Sequence, residues 1–321
     1  MRMNQEGEFW MKCSHCGKEN QEQFAYCVYC GTELEKVNAL SDQPDDHQQS
    51  AQEYAEPKKK HSKRNKILLP IFLLFGISAL LIVTWIFVIS PWVQYRSGIE
   101  KMEQAEYDRA FQIFSDLGEY KDSRDKREQC EVEICRNAVI GDEIPFGSYE
   151  QDNNLDNGSE TIFWKVLSVE EDRILVVSCH ALERSAYHES YMEVTWASCM
   201  LRSWLNQVFL KIAFTETERE HIMVSTLPDT GTDDQIFLLS LDEAATLLGE
   251  GARVQAEASD FAIAQGVPVN EDHYCWWWLR TAGRSNYYAV NVVSEGGINQ
   301  DGDGVDDTRN GVRPAMWIMV P

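Results

Sequence analysis

Cys13-Ser-His-Cys16-Gly17 and, ten residues later, Cys27-Val-Tyr-Cys30-Gly31 are two copies of one knuckle. Two thiolates spaced Cys-x-x-Cys grip a single ion from a tight turn. The glycine that follows lets the backbone fold toward the sulfurs, and four thiolates complete a tetrahedral zinc site. Cys13, Cys16, Cys27 and Cys30 leave no open coordination position for water, so the metal folds the module rather than performing chemistry. Doubling of the motif argues against a redox pair. His15 reads as an exposed residue rather than a fifth ligand. Residues 13–34 hold one lysine against three glutamates, a poor balance for reading nucleic acid. A cytoplasmic protein contact at this module, or no partner beyond the metal, is what remains.

Residues 11–20 and 24–34 together resemble the short zinc-ribbon family found at the N-termini of bacterial membrane proteins, with all four cysteine ligands included. The ribbon is placed at 11–34. Residues 35–66 follow as a linker: 35–57 are rich in Gln, Asp, Ser and Glu and cannot bury enough apolar surface to offset their ordering entropy, which predicts disorder. The linker ends in Lys58, Lys59, Lys60, Lys63, Arg64 and Lys66.

Residues 67–89 carry no charge and are rich in Leu, Ile, Val and Phe. As a helix they would span roughly 34 Å against a hydrocarbon core of about 30 Å, which predicts one transmembrane helix. The basic cluster precedes it, whereas the first ten residues beyond it offer only Arg96. By the positive-inside rule the N-terminus is cytoplasmic and the C-terminal domain extracytoplasmic, in a single-pass protein of the cell membrane.

The chain has 321 residues, 44% of them apolar, enough for more than one core. Its net charge of −23 is unevenly held: residues 1–66 have 10 basic and 11 acidic side chains, and residues 90–321 have 19 and 41. So acidic a C-terminal half repels phosphate backbones, making nucleic acid an unfavourable partner. Five further cysteines, Cys130, Cys135, Cys179, Cys199 and Cys275, are scattered after residue 129. The uneven distribution suits two redox compartments, and an odd number leaves at least one thiol free or paired between chains.

Residues 92–138 have helical spacing, with Ala105, Tyr107, Ala110, Phe111, Phe114 and Leu117 forming a stripe that Gly118 breaks. Two or three short helices are predicted. Residues 105–114 with 120–123 resemble a tetratricopeptide-type hairpin. Little more than one repeat is present, so a helical stalk is favoured over a peptide-binding groove.

Residues 140–321 read as an α+β domain. Residues 161–169 and 173–179 predict a hairpin. Leu201, Trp204, Leu205, Val208, Phe209 and Ile212 predict an amphipathic helix. Thr215 with Glu218 and Ser240 with Glu243 are capping boxes, and residues 235–239 look like the strand feeding the second. Strands are expected again at 276–280, 288–293 and 312–320.

Residues 195–206 (Thr-Trp-Ala-Ser-Cys-Met-Leu-Arg-Ser-Trp-Leu-Asn), 277–281 (Trp-Trp-Leu-Arg-Thr) and 311–318 (Gly-Val-Arg-Pro-Ala-Met-Trp-Ile) resemble, in that order, an uncharacterised bacterial domain-of-unknown-function family found behind zinc ribbons and single membrane helices. The closing pattern is also similar to C-type-lectin-like bacterial domains, including the formylglycine-generating group. These resemblances imply a C-type-lectin-like fold and an envelope location, and no established activity.

Trp276, Trp277 and Trp278 in a row must face both sides of a strand, so core packing is favoured, with Trp277 and Arg280 kept as a candidate ligand surface. Arg280 and Arg313 are expected to meet an internal carboxylate or a backbone carbonyl. Asn299, Asp301, Asp303 and Asp307 alternate oxygen ligands around a glycine, a candidate calcium loop, although a solvated acidic hairpin loop is the default. Cys179 and His180, adjacent on a predicted strand, would point to opposite faces and could not act as thiol and base.

The expectation is therefore a multidomain, non-enzymatic envelope protein. It would comprise a zinc ribbon, a transmembrane helix, a short helical stalk and an outer domain that binds an extracytoplasmic ligand or protein. An extracytoplasmic enzyme using Cys179, Cys199 or Cys275, and a transmembrane signal relay, are the alternatives.

Overall fold

The computed structural model describes residues 2–3, 9–12, 19–21, 85–249, 251 and 254–320. These fall into two compact units, one within residues 36–124 and the other within 1–35 and 125–321.

In the first unit, a π-helical turn at Trp85–Ile89 leads into helix α1 (Ser90–Glu103), which forms a hairpin with α2 (Tyr107–Leu117). Gly98 permits the close approach, since a Cβ there would stand 2.7 Å from the Phe114 ring. Tyr95 meets Phe114 and Tyr120 edge-on, at 5.9 and 6.0 Å, and donates to Asp122 at 2.5 Å. Gly118, at φ +53°, ends α2 where the stripe breaks.

The expected fold class requires correction here. Among the described residues no helix is long and apolar enough to cross a membrane. Residues 67–84 lie outside the described residues, as does the linker at 35–66. The described helix that follows carries Arg96, Glu100, Lys101 and Glu103, charges that a hydrocarbon core would not accept. What the structure describes is a small three-stranded sheet near the N-terminus and a β-rich C-terminal domain.

The second unit begins with a three-stranded antiparallel sheet of β1 (Arg2–Met3), β2 (Phe9–Lys12) and β3 (Glu19–Gln21). Almost all of α3 (Ser123–Asn137) also belongs to this unit, and Cys130, Glu131 and Cys135 on it are buried.

Two larger sheets make the body of the C-terminal domain. The first is antiparallel: β4 (Glu143–Tyr149), β5 (Glu160–Val169), β6 (Arg173–Ser178) and, from the far end of the chain, β14 (Ala315–Met319), in the order β14-β6-β5-β4. The β5–β6 hairpin is the one the sequence predicts. Gly147 on β4 adopts φ +72°, and a Cβ there would meet Phe214 at 2.5 Å. Only glycine fits both constraints.

The second sheet has the order β12-β11-β10-β13-β7, from β7 (Glu183–Arg184), β10 (Trp277–Ala282), β11 (Tyr288–Val292), β12 (Ile298–Gly304) and β13 (Gly311–Val312). The β10–β13 pair is parallel and the others antiparallel. Trp277 and Trp278 on β10 are both fully buried, so this central strand is covered on both faces.

Between the sheets in sequence lie α4 (Met200–Trp204), a π-turn (Leu205–Phe209) and α5 (Leu210–Ile212), which together occupy the expected amphipathic stretch and bury Leu201, Leu205, Val208 and Phe209. Then come α6 (Glu216–His221), the small hairpin β8 (Ser225–Leu227)–β9 (Thr232–Asp234), and α7 (Leu241–Glu243). Both predicted capping boxes are present, at Thr215/Glu218 and Ser240/Glu243.

Three strand predictions are revised. Residues 235–239 form no strand and contribute only the Phe237–Ala315 bridge, although Ile236, Phe237, Leu238 and Leu239 are buried. The single strand expected at 312–320 is two, β13 and β14, interrupted at Arg313-Pro314, because proline has no N–H to continue the ladder. The acidic segment expected as a loop is in part the edge strand β12, where Asp301 and Asp303 put charge on an otherwise unpaired strand edge.

Candidate ligand-binding cleft

The two sheets exchange strands at one corner. Residues 178–183 carry the chain from β6 in the first sheet to β7 in the second, and Arg313-Pro314 carry it back from β13 to β14. The crossings are bonded to each other: Ser178 N–H donates to the Pro314 carbonyl at 2.9 Å and Leu182 N–H to the Val312 carbonyl at 2.9 Å.

A cleft of about 680 Å³ opens at this corner, with Arg313, Cys179, His180, Tyr274 and Glu257 among its lining. Three exposed apolar side chains stand around it, Ile140 (68% exposed), Phe163 (46%) and Leu247 (36%). Glu143 and Lys165, register partners on β4 and β5, form an ion pair at 3.8 Å in the same lining.

Arg313 lines the cleft and is only 3% exposed. Its Nε donates to the Ser178 carbonyl at 2.8 Å, and its guanidinium lies 5.0 Å from the Trp277 ring centroid. Nη1 is buried without a hydrogen-bond partner. Burial pushes this guanidinium down to about 10, opposed by the neighbouring Cys179 and Cys275, so it remains charged at neutral pH. Burial pushes the Cys179 thiol up to about 11 and Cys275 up to about 12. Both therefore stay protonated and do not neutralise the cation.

The other two motif arginines differ. Arg280 is 2% exposed and donates from Nε and Nη2 to Asp229 at 2.8–3.1 Å and from Nη1 and Nη2 to Glu243 at 2.6 and 2.9 Å. Burial lowers its pKa, but the bonds to Glu243 and Asp229 outweigh that and raise it. Arg202 donates to Asp234 at 2.6 Å, and Asp234 also accepts from Trp196 and Thr232. Those arginines hold the fold together. Among the described residues, no carboxylate pairs with Arg313.

The sequence-level site residues are placed as follows. Trp277 is fully enclosed and Arg280 is locked between two carboxylates, so neither forms a ligand surface. Cys179 and His180 lie past the end of β6, where strict alternation no longer holds, and both line the cleft. Asp303 accepts from Asn291 at 2.8 Å and Asn310 at 3.2 Å, Asn299 approaches it at 3.5 Å, and Asp307 is held by Arg309. With the oxygens so engaged, and Asp301 exposed on the edge strand, a calcium site is not supported. A different carboxylate group, Glu150, Asp152 and Glu160, converges, but its oxygens accept from the amides of Gln151, Asp152 and Asn154 and organise that loop.

The four ribbon cysteines lie outside the described residues. The strands that flank this stretch in sequence are described, and their terminal register pair is Lys12 with Glu19. By sequence, two Cys-x-x-Cys pairs supply four thiolates, a donor set that fits zinc.

Residues 12–34 match a zinc-ribbon domain, and residues 171–320 match a domain of unknown function, DUF6273. The chain joins a zinc ribbon to a DUF6273 domain. No curated protein and no solved structure matches it. The DUF6273 match contains Arg313, Cys179 and His180 but begins after β4 and β5, which complete its first sheet and supply Glu143, Phe163 and Lys165 to the cleft.

Proposed function

We propose that the C-terminal domain is a ligand-binding module, with its site in the corner cleft, and that the zinc ribbon is a structural or docking module for a protein partner. The observation that carries this reading is Arg313: a buried, charged side chain with an unpartnered N–H in the lining of a cleft with apolar side chains around it. Unsatisfied buried donors are costly and call for a partner, and ligand pockets place a few polar groups that fix a ligand's orientation. The apolar side chains would hold a ligand's body while the guanidinium orients it.

An enzyme that uses a cysteine is less well supported. Cys199 and Cys275 are buried, with thiols held up at about 12, and Cys179 at about 11, so little thiolate is available at neutral pH. The test is thermal unfolding of the full chain against short peptides, sugars and carboxylic acids. A ligand at a hundred times its dissociation constant stabilises by about 2.7 kcal/mol. A rise that is lost when Cys179 is converted to a bulky adduct supports binding in the cleft. A rise that survives the adduct places binding elsewhere, and turnover of a bound compound would favour the enzyme.

A further inference from the structure

We infer that the cleft ligand is a small monocarboxylate bearing an apolar body, with its carboxylate received by Arg313. This rests on the binding-module reading above.

The charge inventory leads to a single anion. Glu143 and Lys165 offset each other at 3.8 Å. Glu257 is exposed, whereas Arg313 is enclosed, so the field of Arg313 is the less screened of the two. Of the three motif arginines, Arg202 and Arg280 have carboxylate partners within the protein, and Arg313 has a backbone carbonyl on Nε alone. With Nε engaged, the outer edge of the guanidinium is left without a partner, Nη1 being buried there, and a planar carboxylate matches the chemistry of that edge. A phosphate dianion would bring a second charge that this lining does not neutralise, into a domain that is already strongly acidic. Ile140, Phe163 and Leu247 offer contact to an apolar body and nothing to a hydrated one.

Cys179 reports occupancy because it lines the same cleft and is partly accessible. The experiment is site-resolved alkylation of Cys179 by iodoacetamide in the full chain, read by peptide mass spectrometry. The probes are 3-phenylpropionate, its neutral amide and inorganic phosphate, at matched ionic strength. The carboxylate is expected to slow alkylation saturably, about threefold at twice its dissociation constant, with the amide and phosphate weaker. Arg313→Gln should abolish the protection and Arg313→Lys retain part of it. If either variant fails to fold, the comparison of acid with amide on the wild-type chain decides. Equal protection by acid and amide would overturn the carboxylate assignment and leave the cleft as a binding site. Protection by phosphate alone would also overturn it. A lack of protection by every probe would overturn the carboxylate assignment, and the cleft reading would then be decided separately by the thermal-unfolding panel of peptides and sugars.

Discussion

Arg313 places its guanidinium 5.0 Å from the centre of the Trp277 ring, where the indole face rather than a carboxylate meets the charge. The contact explains how a cation survives enclosure at the corner of two sheets, because the negative face of the ring partly offsets the lost hydration. It also leaves Nη1 without a partner.

Replacing Arg280 with alanine will destabilise the domain by about 3 kcal/mol. It strands Asp229 and Glu243 together and removes a donor to the Leu238 carbonyl. Their partial exposure keeps the cost at the low end of the range for a broken buried pair. Urea denaturation with an unchanged m-value checks this.

Glu131→Gln should stabilise the protein at neutral and higher pH. Glu131 is buried on α3, and both its carboxylate oxygens lack a hydrogen-bond partner. Burial, and then the nearby Glu218, raise its pKa well above the usual carboxylate range, against the opposing charge of Arg127. A raised folded-state pKa means that Glu131 favours folding below the unfolded value of about 4.3 and loses that contribution as pH rises toward the folded value. Denaturation midpoints at pH 5 and pH 8 should diverge, with the wild type falling relative to the glutamine variant.

The thiols should alkylate in a defined order. Cys179, partly exposed and at about 11, should react before Cys199 and Cys275, which are buried and at about 12, and before Cys135, which burial raises further still. Site-resolved rates at pH 9 measure it.

Gly147→Ala should cost about 2 kcal/mol or more. The new Cβ combines an unfavourable φ of +72° with contacts of 2.5 Å to Phe214 and 2.7 Å to the Ala213 carbonyl. A thermal melt of the variant gives the value.

Local chemistry made part of this fold legible. The β5–β6 hairpin follows from a compact apolar run on each side of a charged turn, and the two capping boxes are set by residues three apart. What was illegible depends on distant pairing. β12 is built from Asn, Gln, Asp and Gly and is a strand only because β11 pairs with it. The buried segment 236–239 looks like a strand by composition, yet β14 meets it at a single bridge. The uncharged stretch at 67–89 suggested a membrane span, but its described end runs into a charged helix. Sequence could single out Arg280 and Arg313, but it could not separate them, because Asp229 and Glu243 reach Arg280 only through the fold.

In the proposed ligand cleft, Arg313, unlike Arg202 and Arg280, is held available for a ligand. The most direct test of this is NMR of the arginine side-chain N–H groups in the full chain during titration with 3-phenylpropionate. The Arg313 resonances should shift saturably together with the backbone amides of Cys179 and His180, while those of Arg202 and Arg280 stay in place. Movement confined to other regions, with Arg313 unperturbed at saturation, would contradict it.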